Sequence, residues 1–79
     1  MKTVKIGDVE VPEKIVVLNK DSRWDWLYGQ VLTLSVDGNT RFTFPLPGNG
    51  RRSWFYPHEL ALEIQYISYE RFLKLKAFA

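Results

Sequence analysis

The sequence predicts a mainly β fold: a small five-stranded barrel with an N-terminal β extension and a short C-terminal helix. Short alternating or β-branched runs recur between tight-turn signals, and little of the chain shows helical periodicity. Its 79 residues are enough for a single domain. At that length a barrel is more economical than a sandwich, because closure removes exposed strand edges. The domain divides into the extension over 1–12, the barrel over 14–67 and the helix over 68–79.

Val4 and Ile6 alternate with Lys5, and Val9 and Val11 with Glu10, on either side of Gly7-Asp8. That pattern fits a hairpin or a bent first strand, which Pro12 stops. Lys14 to Leu18 is a β-branched run and reads as a buried strand. A polar loop, Asn19 to Arg23, leads into the aromatic stretch Trp24-Asp25-Trp26-Leu27-Tyr28. Gln30 to Val36 puts Leu32, Leu34 and Val36 on one face, and Thr40 to Phe44 puts Phe42 and Phe44 on one face. Asp37-Gly38-Asn39 between them is a tight-turn signal, so the pair is a hairpin.

The stretch 45–50 holds two prolines and two glycines and is a loop. Arg51 to Tyr56 resumes as an aromatic strand, and Pro57 to Leu60 suits one helical turn with proline at its first position. Ala61 to Ile67 alternates Leu62, Ile64 and Tyr66 against Glu63 and Gln65, as a last strand would. Ser68 is placed to cap a closing helix from Tyr69, with Glu70 in its first turn and Phe72, Leu75 and Phe78 or Ala79 as its apolar stripe. A frayed strand is the rival reading of that segment.

This order of features resembles a small SH3-like barrel. The likeness rests on the strand Lys14 to Leu18, the aromatic loop Trp24 to Tyr28, Gly29-Gln30-Val31 opening the next strand, and Trp54-Phe55 leading into His58-Glu59-Leu60. It covers Lys14 to Ile64 and is similar in pattern to the small SH3-like barrel protein of photosystem I and to small phage and prophage SH3-like proteins. The proline-peptide groove of signalling SH3 domains needs a paired tryptophan and a closing Pro-x-x-Tyr. Pro57-His58-Glu59-Leu60 has no such tyrosine and no Trp-Trp pair occurs, so proline-motif binding is not implied.

Composition narrows the function classes. Hydrophobic residues make up 46% and charged residues 25%, which excludes a disordered chain. There is no cysteine, so no disulfide or thiolate metal site is available, and no apolar run approaches a membrane span. With no secretory leader visible, the expected location is cytoplasmic. Net charge is only +2, below the excess usual in a dedicated nucleic-acid binder.

No catalytic motif emerges. His58 is the one histidine, it sits in a predicted turn, and only Glu59 adjoins it as a partner. Gly48-Asn49-Gly50-Arg51-Arg52 lacks the Gly-Lys-Ser/Thr ending and strand-to-helix setting of a phosphate loop. The chain is therefore expected to be a non-enzymatic interaction module, without cofactor or metal.

Two groups of residues are candidates for binding. Trp24, Trp26 and Tyr28 share one side of an extended segment, either as an exposed platform or as a lid on one end of the barrel. Arg51, Arg52, Trp54 and Tyr56 form the other, with Trp54 and Tyr56 on the side of Arg52; the bland alternative is a half-buried strand with solvated arginines. Trp, Tyr and Arg dominate protein interface hot spots, which favours a protein partner. The same residues would let bases stack and phosphates pair with arginine, so nucleic acid is the alternative partner. A structural component docking into a larger assembly through its terminal extensions is a third reading, and no membrane partner is expected.

Overall fold

A computed structural model of the chain describes residues 1–48 and 50–77. Its elements run β1 (Thr3–Ile6), β2 (Val9–Pro12), β3 (Lys14–Val17), a 3-10 turn (Asp25–Leu27), β4 (Val31–Thr33), β5 (Ser35–Asp37), β6 (Arg41–Pro45), β7 (Arg52–Phe55), α1 (Pro57–Glu63), β8 (Tyr66–Ser68) and α2 (Tyr69–Ala77). The fold is mainly β. No helix among the described residues is long and apolar enough to cross a membrane.

The predicted turn at Asp37-Gly38-Asn39 forms, and of the two readings of Gly7-Asp8 the hairpin forms and not the bent strand. Ile6 faces Val9 across Gly7-Asp8, and Gly7 takes φ +60°, the left-handed first position of a II′ hairpin. Between β5 and β6, Gly38 and Asn39 both have positive φ, at 60° and 58°, and the Thr40 N–H closes the turn on the Asp37 carbonyl at 3.2 Å. That is the pair of left-handed residues a type I′ turn requires.

The strands form three antiparallel sheets, β1-β2, β4-β3-β8 and β5-β6-β7, rather than one closed five-stranded barrel. The expected strand Gln30 to Val36 is two strands that change partner. β4 pairs with β3, β5 pairs with β6, and Leu34 between them donates its N–H to the Glu13 carbonyl at 2.7 Å. The face predicted for Leu32 and Leu34 survives the bend: both are buried, and Val36 is partly so. They meet Ile15 and Val17 of β3 and Phe42 and Phe44 of β6 in one core. The N-terminal hairpin belongs to this core, since Val11 is buried in it and Val4, Ile6 and Val9 pack against it.

β3 is buried on both faces, which is why its sequence is a continuous apolar run and does not alternate. Ile15 and Val17 face the core; Val16, equally buried, points to the opposite face with its register partner Ile67. α2 packs on β3 and β8. Ser68 caps it as expected, its Oγ accepting the Arg71 N–H at 3.1 Å. The stripe is only partly seated: Phe72 is half-buried, Leu75 is exposed, and Phe78 and Ala79 lie outside the described residues.

The segment after β7 departs most from expectation. α1 is a seven-residue helix over Pro57–Glu63, longer than the single turn predicted; it takes the first three residues of the strand expected over 61–67, of which Tyr66 and Ile67 alone are in β8. Pro57 presets its first position, and the Glu59 carboxylate accepts the Tyr56 N–H at 3.3 Å. Leu60 and Ile64, four residues apart, are the buried pair. Leu62, which alternation had placed beside Ile64, is 84% exposed. We predict that Leu62→Ser leaves the urea unfolding free energy within about 0.5 kcal/mol of the parent, whereas Leu60→Ala lowers it by about 2–5 kcal/mol. A strand over 61–67 would make the Leu62 change costly too.

Candidate protein-interaction surface

The loop between β3 and β4 is held at its base by backbone bonds to β3. Gly29 donates to the Val17 carbonyl at 2.8 Å, and Val17 donates to that of Gln30 at 3.1 Å. Inside the loop, Asn19 is buried, with 1% of its surface exposed. Its Nδ2 donates to Asp21 Oδ2 and to the Glu63 carbonyl, both at 2.9 Å, and its Oδ1 accepts the Gln65 N–H at 2.8 Å. One carboxamide thus ties the loop to the end of α1 and the approach to β8.

Asp21 continues the network. Its Oδ1 accepts the N–H groups of Arg23 and Trp24 at 2.9 and 3.1 Å, an Asx-type turn that starts the aromatic stretch. The Asn19 side chain, then these two backbone donors, hold the Asp21 carboxyl below its ordinary 3.8. The Glu63 carboxylate receives the Trp24 indole N–H at 3.2 Å and lies 3.5 Å from the Arg23 guanidinium.

Trp24, Trp26 and Tyr28 therefore do not line one side of an extended strand. The chain turns through a 3-10 segment and drives Leu27 fully into the core, leaving Trp24 tilted against Trp26 with ring centroids 6.3 Å apart. Trp24 is half-buried, edge-on to Phe55 with centroids 5.7 Å apart, and serves partly as the lid that the sequence offered as an alternative. Trp26 and Tyr28 remain at the surface, 49% and 53% exposed.

The second group is arranged as its alternation implied. Arg52, Trp54 and Tyr56 lie exposed on one face while Phe55 is buried on the other. Arg51 precedes β7 and is exposed, its carbonyl accepting the Leu46 N–H at 2.8 Å. Trp54 and Tyr56 meet edge to face at 5.3 Å, and the Arg41 guanidinium lies over the Trp54 ring at 4.5 Å while pairing with Asp37. Arg52 is laid along the sheet: its Nε donates to Thr43 Oγ1 and its Nη2 to Ser35 Oγ, each at 3.2 Å. The Thr43 hydroxyl in turn donates to the Ser53 carbonyl at 2.8 Å. Among the described residues no carboxylate pairs with Arg52.

Among the described residues no ring contact joins Trp26 or Tyr28 to Trp54 or Tyr56, and Trp24 meets β7 at the buried Phe55. Arg41 and Ser35 escaped notice in the sequence because the register across the 45–50 loop brings them beside Trp54 and Arg52. Their outward phase on β5 and β6 was the available signal. His58 is exposed on α1, and no group of three or more metal-ligating side chains occurs among the described residues. The fold and site define a small mainly β domain with a pre-ordered aromatic and arginine sheet face. Set against models of known families, curated proteins and solved structures, the chain matches none of them.

We predict that Asn19→Ala destabilises the protein by about 2–4 kcal/mol in urea unfolding, because the Glu63 carbonyl and Gln65 N–H lose their partner together. The depressed Asp21 carboxyl makes a second prediction. Its contribution to stability is fully present above the unfolded value, near 3.8, and is lost as pH falls through the lower folded value. Thermal melts of Asp21→Asn should therefore depend less on pH than those of the parent below pH 3.8. A parallel pair of curves would remove the assigned role.

Proposed function

We propose that this chain is a non-catalytic interaction module, a small accessory or inhibitory protein that binds a protein partner through the outer face of β5-β6-β7. The observation that carries the proposal is the placement of Arg52, Trp54 and Tyr56 on one outward face, with Arg41 stacked on Trp54. Half-exposed aromatics beside arginine are the side chains that concentrate binding energy in protein interfaces. Cross-strand contacts already restrain them, so less side-chain entropy is lost when a partner lands. Trp26 and Tyr28 would act as a second, smaller patch.

The proposed scaffold is an SH3-like barrel. β4 and β5, separated by one residue, count as a single bent strand shared by the sheets β4-β3-β8 and β5-β6-β7. With β3, β6, β7 and β8 that makes five, and α1 takes the place of the one-turn helix between the last two. The resemblance supplies a scaffold and no partner.

In capture experiments with a purified binding protein, Trp54→Ala and Arg52→Ala should each weaken affinity by about tenfold or more. The folded variants should retain the parent's melting temperature, since both side chains are exposed. Undiminished capture would remove this face from the proposal. Tight binding to single-stranded or duplex nucleic acid, lost steeply as salt is raised, would replace the protein partner with a polyanion.

A further inference from the structure

α2 carries Phe72, Leu73 and Leu75, yet none of its described residues is buried, and Leu75 is 54% exposed. Beside it runs a groove of about 770 Å³. Leu18, Ile67, Phe72 and Leu75 supply its apolar lining, and Arg71 and Lys76 supply its charge. Among the described residues no acidic side chain lines it. Glu70, the only acid of α2, is engaged elsewhere, 3.7 Å from the Met1 amine and 3.7 Å from Lys74.

The two cations have different standing. Lys76 lies in the last turn of the helix, where a positive charge complements the macrodipole. Arg71 lies in the first turn, where the macrodipole disfavours it, and no acid among the described residues pairs with it. Helix electrostatics therefore do not account for Arg71, and the groove it lines offers apolar contact and uncompensated positive charge together. A second copy of the chain would bring Arg71 and Lys76 against their own equivalents, a like-charge apposition that opposes docking.

We infer that this groove docks an acidic amphipathic segment of a protein partner. The segment's apolar side chains seat on Phe72, Leu75 and Ile67, and its carboxylates meet Arg71 and Lys76. This is the helix-in-groove mode of recognition, with charge setting the choice of partner. The site is separate from the β5-β6-β7 face and does not depend on the function proposed for it.

The test uses the isotope-labelled full chain and a synthetic helical peptide of about four turns carrying Leu and Phe on one face and Glu on the other. A control peptide has Lys in place of every Glu. In NMR titrations the expected shifts fall on Leu18, Ile67, Phe72 and Leu75, and the Glu peptide binds at least about tenfold tighter than the Lys peptide. The double variant Arg71→Glu, Lys76→Glu should reverse that preference. Leu75→Ser should weaken the Glu peptide while leaving the melting temperature unchanged.

Equal affinity for the two peptides, indifference to the charge reversal, or shifts confined to other surfaces would overturn the proposal. So would binding to vesicles of phosphatidylcholine and phosphatidylserine with the Glu peptide inert, which would assign the groove to a lipid surface. Self-association that buries Leu75 and excludes the Glu peptide would overturn it in favour of a second copy.

Discussion

The buried carboxamide of Asn19 is the constraint on which the arrangement of the loop, α1 and β8 depends. A helix end leaves carbonyls without intrahelical partners, and a chain that turns at once into a strand leaves N–H groups in the same position. Asn19 answers one of each, accepting from Gln65 and donating to Glu63, and its second donor hydrogen goes to Asp21. An amide is suited to this because it carries a donor and an acceptor on one rigid plane. Aspartate would lose the donor and bring a charge toward the Glu63 carbonyl; leucine would fill the volume and leave both backbone groups unanswered. Through Asp21 and Glu63 the same network sets the start of the 3-10 turn and the tilt of the Trp24 indole.

The second organising feature is that β3 is covered on both sides. The core proper lies on the side of Ile15 and Val17, whereas Val16 belongs to a thinner layer with α2. A short helix laid over a three-stranded sheet can cover the central strand but cannot seat every apolar side chain it carries. Phe72 is half-buried while Leu73 and Leu75 are 46% and 54% exposed. The groove beside α2 follows from that geometry. Its chemistry follows from which charged residues the helix presents there.

The outer face of β5-β6-β7 is ordered by contacts that cost little to make and restrict a good deal. Arg41 is held between Asp37 and the Trp54 ring, and Arg52 between two hydroxyls. The exposed Arg41–Asp37 ion pair adds little stability, about 0–1 kcal/mol, so the consequence of these contacts lies in conformation. They hold two guanidinium groups and two aromatic rings on one face of the sheet.

Much of this was legible locally. Asp37-Gly38-Asn39 predicts its turn because only a few residues tolerate left-handed backbone, Gly7-Asp8 narrows its segment to a hairpin or a bent strand, and Ser68 announces its cap by position. The alternation of Arg52, Trp54 and Tyr56 against Ser53 and Phe55 puts those three on one side, and burial of Phe55 decides that this side faces out. Other features depended on contacts between distant segments. Leu62 and Ile64 alternate like a strand while Leu60 and Ile64 recur like a helix, and packing of Leu60 into the core decided between them. Trp24, Trp26 and Tyr28 have equal standing in the sequence until Leu27 is drawn inward and twists their segment. Asn19 looks like any polar loop residue until Glu63 and Gln65, more than forty positions away, come within hydrogen-bond reach. The sequence by itself determined the Asp37-Gly38-Asn39 turn and the phases of the strands that flank it. Only the tertiary structure decided partners, because backbone preference acts within a few residues while burial and hydrogen-bond satisfaction act across the whole chain.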